Sequence, residues 1–339
     1  MKSRTRNIFF IFGAVAVVVM LFTFDVSFVT LWNDILRAGA WIFAILGMWL
    51  ILYMLNALSW RIIIKGSGSC PISFLRLLKV TVTGFALNYA TPAGLMGGEP
   101  YKIMEMSPYI GGRRATSSVL LFAMMHIFSH LWFWLTGVVL YVIFMPLDVP
   151  MCILLSVILA FCIFGIYLFV KGYKNGMVVK TISLLCRIPF LKRGARKFAD
   201  EHSEDFEKID SQISELQSQN TKSFYASFFL EYIGRFLQAF EIYFMLQIFM
   251  DNQGGAHAYL ESVLILAFTS LFANLLFFMP LQLGGREGGF AMSTANMGMT
   301  SDIGMFISII CRVRELFWTS IGLLLMKVGN NKKLSLIHI

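Results

Sequence analysis

The chain has 339 residues, of which 58% are hydrophobic and only 14% charged, against the roughly 25% charge of soluble domains. With a mean hydropathy of +0.72, that composition excludes an ordinary soluble enzyme and predicts an all-α polytopic membrane protein. The net charge of +9 does not point to nucleic acid, because the basic residues sit in short loops beside apolar runs, the pattern that orients spans in a membrane.

Lys2, Arg4 and Arg6 precede an apolar run from Ile8 to Phe24. No small-residue cleavage site follows, so the run reads as an uncleaved first span with a cytoplasmic N-terminus, and Asp25 to Asp34 as an external loop. A second span over about 39–64 carries Arg61 and ends at Lys65, which returns the chain inside.

The stretch from Gly84 to Met106 is apolar but broken by Pro92, Gly94, Gly97, Gly98 and Pro100, with Glu99, Lys102 and Glu105 set at or just behind the break. Proline removes a backbone donor and glycine loosens the helix, so no single rod continues through. Arg76 and Lys79 lie before it and Arg113 and Arg114 after it, which predicts a re-entrant hairpin of two half-helices entered from the cytoplasm.

Thr116 to Phe144 reads as an outward span, Pro146 and Pro150 as an external turn, and Met151 to Val170 as the return. His126 and His130 lie four apart, as metal ligands can, but the glutamate of HExxH is missing and the neighbours are apolar. A packed or hydrogen-bonded pair is expected there, and no metal. The basic residues from Lys171 to Lys197, with no acid among them, mark the cytoplasm most strongly. Residues 198–220 are acidic, with Phe206, Ile209, Ile213 and Leu216 at three- and four-residue spacing, and predict a short amphipathic cytoplasmic segment joining halves at about 1–197 and 221–333.

Ser223 to Phe249 reads as the next span and holds Glu231, Arg235 and Glu241 near one helix face. Charges inside a span face a bundle interior or a wet cavity, as a structural ion pair or as substrate contacts. The loop from Asp251 to His257 is expected outside. Phe268 to Met292 then repeats the order of the first broken stretch: Asn274, Pro280, Gly284, Gly285 and Glu287 follow Asn88, Pro92, Gly97, Gly98 and Glu99. Paired interrupted apolar segments, entered from opposite faces, are the sequence mark of a transporter site built on an inverted repeat. A last span over about 303–326 carries Arg312, Arg314 and Glu315 and returns to Lys327, Lys332 and Lys333. The expected fold is therefore one domain over 1–333 with about six full spans, two re-entrant helical hairpins and both termini cytoplasmic. Residues 334–339 read as a non-native tail resembling translated adapter sequence.

Cys70, Cys152, Cys162, Cys186 and Cys311 form no CxxC pair, so neither a disulfide nor a metal site is expected, and no cofactor. No Walker loop and no Gly-x-Ser-x-Gly elbow is present, so catalysis has no positive signal and whether the chain is an enzyme stays open. Glycine-broken half-helices expose unpaired backbone groups, and Glu99, Lys102, Arg286 and Glu287 add both charge signs, a chemistry suited to a polar lipid headgroup.

NYATPAGLMGGEPYK at 88–102, followed by MPLQLGGREGGF at 279–290 and by Arg312, resembles the transmembrane part of the lysylphosphatidylglycerol synthase/flippase family. That resemblance implies a bundle with re-entrant segments in a bacterial inner membrane that moves phospholipids, typically aminoacylated phosphatidylglycerol, between leaflets. By motif match it implies substrate-binding roles for Asn88, Pro92, Gly97, Gly98 and Glu99, and for Pro280, Gly284, Gly285, Arg286, Glu287 and Arg312. The chain departs from the pattern at Pro280-Leu281-Gln282, where the family has Pro-x-Pro, and its longest polar stretch is too short for the family's soluble synthase. The expectation is a flippase working by alternating access, with Lys102 and Asn274 added to the site and with Glu231, Arg235, Glu241, Arg314 and Glu315 as further buried charges. The alternatives are a membrane-embedded transferase, or a scaffold for a separate lipid-synthesis enzyme. Phospholipids are the expected partners.

Overall fold

The computed structural model describes residues 28–90, 97–175, 207, 211, 221–249, 254–275 and 285–327. The described residues form ten helices and no strand, as a membrane interior demands when every backbone donor must be satisfied within its own segment. The expected first span at 8–24, the tail at 334–339 and all of 198–220 except Glu207 and Ser211 lie outside the described residues.

The helices, in order, are α1 Phe28–Ala38, α2 Trp41–Gly66, α3 Phe74–Ala90, α4 Gly98–Ile110, α5 Gly112–Phe144, α6 Val149–Asn175, α7 Thr221–Gln247, α8 Ala256–Leu275, α9 Gly285–Asn296 and α10 Ser301–Lys327. By length and composition α2, α5, α8 and the Val149–Lys171 part of α6 are able to cross a membrane. α7 and α10 have 27 residues each, about 40 Å at 1.5 Å per residue, but carry more charge. The first broken stretch becomes α3 and α4, of 17 and 13 residues, both short of the roughly 20 needed to span. The second becomes α8 and α9, and here the first arm is itself long enough to cross.

One expectation is corrected. Residues 28–34 are helical and belong to α1, where the sequence reading has an external loop. Two acids and an asparagine made the segment look like a loop, yet Val29, Trp32 and Leu36 recur at helical spacing as one exposed apolar stripe. At the end of α1 the Arg37 guanidinium lies 4.1 Å from the centre of the Phe249 ring, and Gly39, with φ 53°, makes the turn into α2.

The chain divides into two compact units. One holds the described residues of Met1–Ala57, Ile72–Met106 and Gly234–Ile339. In it α10 packs along α3, α9 and α1, and α9 packs on α8. The α3–α10 contact is close because it is built on Gly322, where a Cβ would strike Ala86 and the Val82 carbonyl, and Thr83 donates to the Gly322 carbonyl at 3.1 Å.

The other unit holds the described residues of Leu58–Pro71 and Ser107–Ile233. The Asp148 carboxylate accepts from the Met151 amide at 2.8 Å and so starts α6 after the turn that the prolines announce. α5 and α6 pack through Phe128 stacked on Phe169 at 4.1 Å and through Leu131 against Gly165. Arg114 ties down the turn after α2, donating to the carbonyls of Ile64 and Ser69 at 2.8 Å and to the Ser67 hydroxyl at 2.9 Å. His126 faces the buried Glu231, Nδ1 to Oε2 at 3.0 Å, and stands edge-on to His130.

Candidate functional site

α3 ends and α4 begins on a side-chain clamp. The Asn88 Oδ1 accepts from the Gly98 amide at 2.7 Å, filling the role of an N-cap from the preceding helix, while its Nδ2 donates to Glu99 Oε1 at 3.2 Å. Gly98 is required: a Cβ there would overlap the carbonyl of Gly84 on α3. Gly97 is buried beside it in the bend. Lys102 follows one turn along α4, buried, with its stem across Gly84 and Nζ 3.6 Å from Glu99 and 5.2 Å from the Phe85 ring centre.

The second signature differs in detail. Gly285, Arg286 and Glu287 form the first turn of α9, and Gly289 lets that helix close onto Thr269 of α8. Asn274 donates to its own helix, at the Ser270 carbonyl 2.7 Å away, and among the described residues makes no clamp like that of Asn88. Pro92, Pro280 and Gly284 lie outside the described residues.

Around α9 and α10 three arginines and three glutamates join in one network. Arg286 is paired with Glu315. Arg312 reaches Glu315 at 3.2 Å through Nη1, and it holds Glu287 Oε1 through Nη2 at 3.0 Å and Nε at 3.2 Å. Arg314 makes a two-pronged bond to Glu241 of α7, at 2.8 and 3.2 Å, approaches Glu315 at 3.5 Å, and lays its guanidinium 3.7 Å from the centre of the Trp49 ring. Charges buried in a membrane protein's interior are costly unless matched, so mutual pairing is the condition of their burial.

Exposure separates these groups. The side chains of Glu315 and Glu241 are 0% and 2% exposed, but those of Glu287 and Glu99 are 24% and 26% exposed. These two part-exposed carboxylates share a further property: each has one oxygen tied and an Oε2 that is itself enclosed and without a hydrogen-bond partner among the described residues. Both stand in the first turn of the short second helix of an interrupted pair, Glu99 on α4 and Glu287 on α9. Tyr89, next to Asn88, lies within electrostatic reach of Arg286, Arg314 and Glu315 and links the first signature to the network. All of these residues belong to the first unit, whereas Glu231 lies in the other, facing His126. Arg235 stands one turn beyond Glu231 on α7, near Gln238.

Among the described residues no group of three or more His, Cys, Asp or Glu could hold a metal ion. A groove of about 390 Å³, lined by Ala44, Gly47, Ile51, Leu237, Phe240 and Phe244 among others, opens between α2 and α7, and its lining is apolar throughout.

The model of the lysylphosphatidylglycerol synthase TM region matches residues 10–322. The chain belongs to this family. The lysylphosphatidylglycerol synthase TM region match covers both signatures and the α9–α10 network, and it carries a membrane, lipid-related function with it. Neither the curated proteins nor the solved structures contain a match to the chain.

Trp49 and Tyr89 carried no signal in the sequence, because nothing in a run of apolar residues says which ring will meet an arginine 265 positions away, the separation of Trp49 from Arg314.

Proposed function

We propose that the chain is a phospholipid flippase whose substrate headgroup binds at the first turns of α4 and α9 and crosses by alternating access. The observation that carries this reading is the matched pair of half-tied carboxylates. Glu99 and Glu287 each stand in the first turn of the second helix of an interrupted pair, each held by one cation and each with an enclosed oxygen that has no hydrogen-bond partner among the described residues. A headgroup ammonium satisfies such oxygens, and helix N-termini beside Arg286 and Arg312 favour a phosphate. Binding here uses charges that are already compensated, so a polar headgroup enters without stranding an ion in the membrane interior. The apolar groove of the same unit offers a surface of the right chemistry for an acyl chain.

The test is leaflet exchange. Purified protein in liposomes containing a fluorescently labelled phospholipid should let the label reach an outer-leaflet quencher, and Glu99→Gln and Glu287→Gln should each slow that exchange at least about tenfold, the effect of losing about 1.4 kcal/mol. Chemical turnover of the lipid without exchange would instead establish a membrane-embedded transferase. Neither activity, alongside capture of a lipid-synthesis enzyme, would establish a scaffold.

A further inference from the structure

Arg61 of α2 belongs to the second unit, whereas the proposed headgroup site lies in the first. It is partly exposed, yet it forms no hydrogen bond, ion pair or ring contact among the described residues, and the unit's described acids, Asp148, Glu207 and Glu231, do not pair with it. Its Nε is enclosed; the terminal guanidinium nitrogens are not, and they are the donors that a ligand can reach. Arg114 shows the contrast, since its guanidinium is taken up by the Ile64 and Ser69 carbonyls and the Ser67 hydroxyl.

The position of Arg61 suits a bilayer phosphate. Met54, Leu58, Arg61 and Lys65 follow one another at steps of four, three and four residues and so share one face of α2, on which Met54 and Leu58 are 41% and 38% exposed and Lys65 is exposed too. Arg61 stands 20 positions after Trp41, about 30 Å along the helix, which is the thickness of the hydrocarbon core. The face therefore passes from acyl chains to headgroups at Arg61. Helical side chains lean toward the N-terminus, so Lys65 leans back over Arg61, and the two cations repel unless an anion lies between them.

We propose that Arg61 and Lys65 bind the phosphate of an anionic phospholipid from the leaflet at this end of α2, a lipid held on the outside of the second unit and distinct from the one carried across. The inference stands apart from the flippase reading. A headgroup of net negative charge matches two cations that have no acid beside them, whereas a zwitterionic one sets its own ammonium against them. The apolar face of Met54 and Leu58 leads to the terminal nitrogens and selects a lipid over a soluble anion.

Native mass spectrometry of the purified full chain in detergent, titrated with phosphatidylglycerol or phosphatidylcholine, tests the site. Wild type should hold phosphatidylglycerol at least about fivefold more tightly than phosphatidylcholine. Arg61→Gln should weaken phosphatidylglycerol binding at least about tenfold and Lys65→Gln about threefold, while Arg113→Gln, which removes an exposed cation of α5, should change nothing. Equal losses in Arg61→Gln and Arg113→Gln would reduce Arg61 to general surface charge and overturn the proposal. Inorganic phosphate that displaces the lipid would overturn it too, as would binding that appears only once the acids of residues 198–220 are neutralised. A wild type with no preference for phosphatidylglycerol overturns it even if Arg61→Gln fails to fold. Absence of leaflet exchange in wild-type liposomes would sink the flippase reading and leave this site standing.

Discussion

Arg312 and Arg314 leave α10 two residues apart and end in opposite situations. Arg314 is enclosed: Trp49 covers its face, Glu241 takes two of its donors, and its side chain is 1% exposed. Arg312 is equally buried, yet it shares its donors between the fixed Glu315 and the half-open Glu287. The difference lies in the carboxylates: Glu241 is held on both oxygens by its arginine, Glu287 on one. The first pair is built as a joint; the second leaves its carboxylate part-exposed.

The largest effect that would sharpen this contrast is expected at the joint. Glu241→Gln strands Arg314 in the interior and should cost about 3–5 kcal/mol, measured as a large fall in thermal stability in detergent. Arg314→Lys keeps the charge but gives up the two-pronged bond and the stacking on Trp49, and should cost about 2 kcal/mol in the same measurement. Glu287→Gln should cost less than about 1 kcal/mol, because Arg312 retains Glu315, while lipid exchange falls as stated above. The contrast breaks if Glu287→Gln destabilises the protein as much as Glu241→Gln. The smallest effect concerns the two signature asparagines. Asn88→Ala removes the cap of α4 and should cost about 1–2 kcal/mol, whereas Asn274→Ala removes only a bond within its own helix and should cost a few tenths, both read from thermal shifts.

The long apolar helices were legible because hydropathy and length alone specify them. The span expected at 39–64 is α2 at Trp41–Gly66, and that expected at 303–326 is α10 at Ser301–Lys327. The interruptions expected around Pro92 and Gly284 were equally legible from backbone chemistry; those two residues lie outside the described ones, and the helices on either side are α3, which runs to Ala90, α4 from Gly98, α8 to Leu275 and α9 from Gly285. Within the site, Glu99 with Lys102 and Arg312 with Glu315 could be expected as neighbours, being three apart on one helix. The pairs that organise the network could not. Glu241 meets Arg314 across 73 positions and Arg286 meets Glu315 across 29, and helix composition holds no record of which faces will meet. The histidine pair shows the same limit from the other side: an apolar setting argued for a packed or hydrogen-bonded role, and the carboxylate that faces the His126 Nδ1 lies 105 positions away.

α3 is gripped from two sides. Gly98 presses its backbone onto Gly84, and Gly322 of α10 presses onto Val82 and Ala86 one face round. Where Gly98 meets the Gly84 carbonyl and Gly322 meets the Val82 carbonyl and the Ala86 methyl, no long side chain stands between the helices to absorb a displacement. α3, the start of α4 and the end of α10 must therefore travel as one plate, carrying Asn88 and Glu99 with it. An alanine at Gly322 would force the plate apart far from the charged groups, whereas an alanine at Gly98 would also strike Asn88 Oδ1 and so disturb the amide that holds Glu99.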